Sequence, residues 1–132
     1  MASVIAVIAQ GEMGAAFGAR FTGRGLEVRT VLDGRSLASV QRAAAAGMRA
    51  VSWQEAADVD LFLSLVPPSE ALPLAQKMAP HFANAKRETL YVDLNAISPR
   101  TAEAVANTVT GAGCRFADGS ICGHPPGTHG LS

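Results

Sequence analysis

Val4-Ile5-Ala6-Val7-Ile8-Ala9-Gln10-Gly11-Glu12-Met13-Gly14 is the stretch on which the reading of the whole chain turns. Its first five residues are apolar without interruption, the pattern of a strand covered on both faces. Met13, Phe17 and Phe21 then recur every four residues, which places them on one face of a helix. Between strand and helix stands Ala9-x-Gly11-x-x-Gly14. In such a turn the first position lets the strand bend sharply, and the second brings bare backbone against an anion. The third lets the helix pack close to the strand. The opening turn of the helix adds free N–H groups and the positive end of its dipole. The arrangement is that of a dinucleotide pyrophosphate site, with Ala9 standing where a glycine is usual; a negative φ there lets alanine make the turn. Ala9, Gln10, Gly11, Glu12, Met13 and Gly14 are therefore the predicted cofactor-binding turn.

Downstream, apolar strand patterns alternate with helical ones. Gly23 and Gly25 close the first helix, and Glu27 to Leu32 reads as a second strand. A helix from about Ser36 to Ala46 follows, stopped by Gly47, then a short strand from Arg49 to Ser52 and a brief helix or turn to Asp58. Leu61 to Val66 is a second strongly buried strand, ended by Pro67-Pro68. Ser69 is the expected cap of a helix running to about Ala79. Thr89 to Leu94 is the next strand, and Ser98-Pro99 opens a helix with proline at its first position. Gly111 and Gly113 break that helix before a last strand, Cys114 to Ala117. Strand–helix alternation throughout predicts an α/β fold: a Rossmann-type doubly wound parallel sheet, one three-layer domain with the first strand central. Residues 1–123 form the expected dinucleotide-binding domain. Residues 124–132, rich in Gly, Pro and His, form a turn-rich tail.

The second strand's exit carries Asp33-Gly34-Arg35-Ser36. An acidic residue there holds the two ribose hydroxyls of NAD, whereas Arg with Ser clamps the 2′-phosphate of NADP. Arg35 and Ser36 beside a helix start favour NADP; Asp33 keeps NAD open.

Bulk properties narrow the partners. The chain has 132 residues, 48% of them hydrophobic and 17% charged, with eleven basic residues against eleven acidic ones. That balance suits a packed core and argues against disorder, and the lack of a basic stripe argues against nucleic acid. No apolar run is long enough for a membrane span, and the start lacks the charged leader of a secretory signal. Cys114 and Cys122 have no redox or zinc spacing, so a reducing cytoplasm is expected and no metal is predicted. His81, His124 and His129 read as loop or surface histidines, Asp58 and Asp60 as solvated strand ends, and Trp53 as packing. Ser98 reads as a helix cap, and Lys77 and Lys86 as surface lysines.

Four stretches in order resemble the 6-phosphogluconate dehydrogenase and β-hydroxyacid dehydrogenase family: residues 10–14, Leu65-Val66-Pro67-Pro68, the segment from Val92 to Pro99, and Asp118-Gly119-Ser120-Ile121-Cys122-Gly123. The resemblance implies that Val66 and Pro67 pack on the nicotinamide side of the cofactor, that Asn95 lies near the nicotinamide ribose, and that Ser120, Cys122 and Gly123 border a small-molecule substrate. It also implies an oxidoreductase acting on a small hydroxy acid, whose catalytic lysine belongs to a helical domain following the nucleotide domain. No catalytic residue is identified in this chain. The tail then reads as the start of a linker to that helical domain, and activity of the chain by itself stays open. Pairing with that domain, or with a second copy, is the expected assembly. A non-catalytic dinucleotide-binding or sensor module acting through a partner is the alternative, and a flavin or sugar-nucleotide binder a third reading.

Overall fold

A computed structural model describes residues 3–9, 12–32 and 37–119, with the backbone alone at Ala9, residues 12–15 and Ser39. Six parallel strands form one sheet: β1 (Val4–Ala9), β2 (Glu27–Thr30), β3 (Arg49–Ala50), β4 (Leu61–Leu65), β5 (Leu90–Asp93) and β6 (Arg115–Asp118). Their order is β3-β2-β1-β4-β5-β6, with β1 inside and the direction of winding reversed between β1 and β4. Five helices connect them: α1 (Glu12–Thr22), α2 (Leu37–Ala45), α3 (Trp53–Ala57), α4 (Ala71–Asn84) and α5 (Pro99–Gly111). This is the doubly wound Rossmann arrangement.

Strand residues alternate between two cores. Val4, Ala6, Ile8, Phe62 and Tyr91 face α4 and α5, where Leu74, Ala75, Met78, Phe82, Val105 and Val109 are buried against them. Ile5, Val7, Leu63 and Val92 face the other way, toward Phe17 and Phe21 of α1. On the first face Phe62, Tyr91 and Phe116 stand in register across β4, β5 and β6 and stack at 5.0 and 6.3 Å between ring centroids. Phe82 of α4 meets Phe62 and Tyr91 edge-on at 5.3 and 5.8 Å. Four of the chain's seven aromatics meet in this cluster, while Phe17 and Phe21 stack on each other across the sheet.

Three helices end in the same way. After α1 the N–H of Leu26 bonds to the Phe21 carbonyl and that of Gly25 to Thr22. Met48 with Gly47, and Cys114 with Gly113, repeat the pattern after α2 and α5. Each closure needs a residue of positive φ, and the three glycines have φ of 82°, 76° and 100°. Gly47 is the tightest: a Cβ there would lie 2.7 Å from Thr22 Cγ2.

Two expectations are corrected. Ser69 does not cap α4; Pro68–Glu70 forms a single 3-10 turn, and Glu70 precedes the helix without a side-chain cap bond. Nor does α4 stop at Ala79. It continues through Pro80 to Asn84, because Phe82 in the last turn is buried in the aromatic cluster. Asp58 and Asp60 are also more than solvated ends. Asp60 Oδ2 accepts from the Val4 N–H at 2.9 Å and pairs with Arg87 at 3.3 Å, and Asp58 Oδ1 accepts from the Arg87 N–H at 3.2 Å.

Candidate functional site

Because α1 and α4 leave β1 and β4 toward opposite faces of the sheet, a crevice opens at the carboxyl ends of these two strands. Ala9 is the last residue of β1 and pairs with Leu65 of β4. After two residues α1 begins at Glu12, so Glu12, Met13 and Gly14 form its first turn and their backbone N–H groups belong to the helix start. Val66 and Pro67 follow β4 directly and are half-buried; Pro67 has φ −54° and ψ 146°. Asn95 lies just beyond β5 and is 5% exposed. The structure thus brings Ala9, the start of α1, Val66, Pro67 and Asn95 to one edge, on three adjacent strands. Gln10, Gly11, Asp33, Arg35, Ser36, Ser120, Cys122 and Gly123 lie outside the described residues.

Two polar residues at this edge had no role in the sequence reading. Ser64 interrupts the apolar run of β4 and is fully buried, paired in register with Ile8 on one side and Asp93 on the other. Asp93, the last residue of β5, is also fully buried. Its Oδ1 accepts from the Asn95 N–H at 2.8 Å, while Oδ2 has no hydrogen-bond partner among the described residues. Burial pushes the Asp93 carboxyl above its ordinary value, the nearby Asp118 adds to the rise, and the Asn95 N–H opposes it. The signal was a hydroxyl in an otherwise apolar strand: such a residue is buried only where its hydrogen bonds are met. Here Ser64 Oγ accepts from Asn95 Nδ2 at 3.0 Å.

Other chemistry-bearing side chains are placed elsewhere. Lys77 of α4 lies over the Trp53 ring at 4.0 Å. Lys86 lines a groove with Arg29, Gln54, Glu55 and Asp58, on the approach to β4 and β5 from their amino ends. His81 Nδ1 is 3.0 Å from Gln54 Oε1. Burial pushes the Cys114 thiol up to about 11, so it stays protonated at neutral pH. Ser98 caps α5, its hydroxyl accepting from the Thr101 N–H at 3.2 Å. Among the described residues no three His, Cys, Asp or Glu side chains gather as metal ligands, and no helix is long and apolar enough to cross a membrane.

This edge fits a dinucleotide: the start of α1 beside the end of β1 supplies N–H donors for an anion, and the winding reversal supplies the crevice. Comparison with known proteins points the same way. Residues 4–130 match the family model described as the NAD-binding domain of 6-phosphogluconate dehydrogenase. A conserved protein of unknown function, described as structurally similar to 3-hydroxyacid dehydrogenases, is 30% identical with a TM-score of 0.77, over 89% of this chain and 45% of its own. The 3-hydroxyisobutyrate dehydrogenase of Mycobacterium tuberculosis is 26% identical with a TM-score of 0.73, over 88% of this chain and 39% of its own. An imine reductase variant from Myxococcus stipitatus, solved with NAD+, shares the fold at 20% identity and a TM-score of 0.67, over 88% of this chain and 39% of its own. This chain therefore spans less than half the length of each. No curated protein sequence matches it.

Proposed function

The chain belongs to the family of the NAD-binding domain of 6-phosphogluconate dehydrogenase, and from that premise we propose that it holds NADP in preference to NAD, as the cofactor half of an oxidoreductase acting on a small hydroxy acid. The observation that carries this reading is the meeting of the α1 start, Ala9, Val66, Pro67 and Asn95 at the winding reversal between β1 and β4. In this reading Gly11 lets the pyrophosphate approach the backbone, and the first N–H groups of α1 take its charge. Arg35 and Ser36 bind the adenosine 2′-phosphate, and the wall formed by Val66 and Pro67 faces the nicotinamide half. When bound, the nicotinamide supplies the hydride acceptor or donor. Ser120, Cys122 and Gly123 border the substrate, residues 1–123 form the binding unit, and residues 124–132 lead toward a helical domain that provides the proton-transfer group.

Both lysines of the chain lie away from this edge, Lys77 over Trp53 and Lys86 in the groove before β5. That placement favours a second reading, a dinucleotide-binding sensor whose output passes through a partner. Binding is common to both readings and is tested first. Calorimetric titration with NADPH and NADH side by side should show saturable binding with NADPH the tighter. Arg35→Ala should weaken NADPH by about 1–3 kcal/mol, the worth of a hydrogen bond to a charged group, and leave NADH nearly unchanged. Equal losses on the two cofactors would remove Arg35 from the phosphate site.

A further inference from the structure

The segment that leaves β4, Val66-Pro67-Pro68, has an unusual shortage of hydrogen-bond donors. Neither proline has an N–H, so Val66 carries the single backbone donor by which these three residues can be held. The β-ladder does not use it: the last rung between β4 and β5 is the Leu94 N–H on the Ser64 carbonyl. Instead the Val66 N–H donates to Asn95 Oδ1 at 2.8 Å.

Asn95 is itself fixed from two sides. Its Nδ2 donates to Ser64 Oγ at 3.0 Å, and its backbone N–H donates to Asp93 Oδ1 at 2.8 Å. Ser64 and Asp93 are fully buried and in register on neighbouring strands. The side-chain amide is therefore oriented before any ligand arrives. Its acceptor points at Val66 and its donor at Ser64. Burying three polar residues in one layer costs free energy that only satisfied bonds recover, and here those bonds converge on the loop that walls the crevice.

We propose that Asn95 is a positioning residue: braced by Ser64 and Asp93, its amide holds Val66 and Pro67 at the height where the nicotinamide half of a bound dinucleotide meets the wall. This rests on the dinucleotide reading above. Asn95 acts through Val66, and its loss loosens the wall without touching the far end of the crevice, where the adenosine would lie.

The test titrates the wild type, Asn95→Ala and Ser64→Ala with NADPH and with adenosine 2′,5′-bisphosphate, which lacks the nicotinamide half; NADH and AMP replace them if the wild type prefers NADH. Asn95→Ala should weaken the dinucleotide about tenfold, and Ser64→Ala about threefold, in line with the loss of one or two buried hydrogen bonds. The adenosine ligand should bind both variants within about twofold of the wild type. A general structural defect would move both ligands together, so equal losses overturn the proposal, as does unchanged dinucleotide affinity in both variants. Should Asn95→Ala fail to fold, as judged by circular dichroism, Ser64→Ala decides by the same criteria. A wild type that binds neither dinucleotide overturns the dinucleotide reading and this inference with it, an outcome distinct from a wild type that binds while the variants behave like it.

Discussion

Asp93 sits fully buried at the end of β5 with one oxygen bonded to the Asn95 N–H and the other without a partner among the described residues. Burial raises its pKa first, and repulsion from Asp118, its register partner on β6, second. A carboxyl whose folded value is raised binds more protons in the folded than in the unfolded chain across the interval between the two values. Its contribution to stability is therefore fully present at acid pH and is lost as pH rises from the ordinary value of 3.8 through the raised one. Asp93→Asn keeps an acceptor for the Asn95 N–H and removes the titration. Urea unfolding of wild type and variant at pH 4 to 8 should show the variant gaining on the wild type as pH rises. A constant difference would mean that Asp93 titrates alike in both states. Asp93→Ala, which also loses the acceptor, should be the less stable variant at every pH. The position of Asp93 in the chain suggested a strand end; its burial and its bond to Asn95 come only from the pairing of β4 with β5, which no local pattern states.

At the scale of elements, α4 shows how tertiary packing overrides local preference. Proline inside a helix removes one backbone bond and crowds the preceding turn, yet Pro80 lies within α4. The helix runs on because Phe82, in its last turn, packs edge-on against Phe62 and Tyr91. Pro80 is exposed, so its substitution tests backbone preference with little change in packing. Pro80→Ala should raise stability by about 1–3 kcal/mol in urea unfolding; a loss would show that the helix is built around the proline. α5 is held both by packing, through Val105 and Val109, and by its cap, the Ser98 hydroxyl taking the Thr101 N–H; Ser98→Ala should cost about 1 kcal/mol. Elements with strong period or punctuation were legible: β1, β4, α1, α5 and the glycine-closed helix ends. The segment left open as a brief helix or turn is a helix, α3, started by a capping box of Ser52 with Glu55, a Ser-x-x-Glu signal that the sequence reading missed. Of the candidate site, the β4 exit could be read as a motif, because prolines constrain backbone locally. The brace of Ser64, Asp93 and Asn95 could not, because it joins residues on different strands.

The whole molecule is a sheet whose support declines from the centre outward. Val4 to Ile8 of β1 are buried on both faces and bonded to two neighbours, while β3 is two exposed residues paired with β2 alone. Amides released only by global unfolding should therefore lie in β1, β4 and β5, and those of β3 should exchange through local opening at far lower cost. A dinucleotide lying across the carboxyl ends adds a second, perpendicular gradient. It binds the folded state, so saturating cofactor raises the global protection of every core amide by the same amount. Any extra protection must come from suppressed local opening, and the crevice edge is where a ligand suppresses it: the first turn of α1, Val66 and the segment from Asn95 to Ser98. Hydrogen exchange with and without NADPH should show these amides slowed beyond the common increment. The amino-end groups around Asp60 and Arg87, at the opposite edge, should show no such excess. Extra slowing at the amino end instead would place the ligand on the wrong side of the sheet, against the orientation that the winding reversal between β1 and β4 dictates.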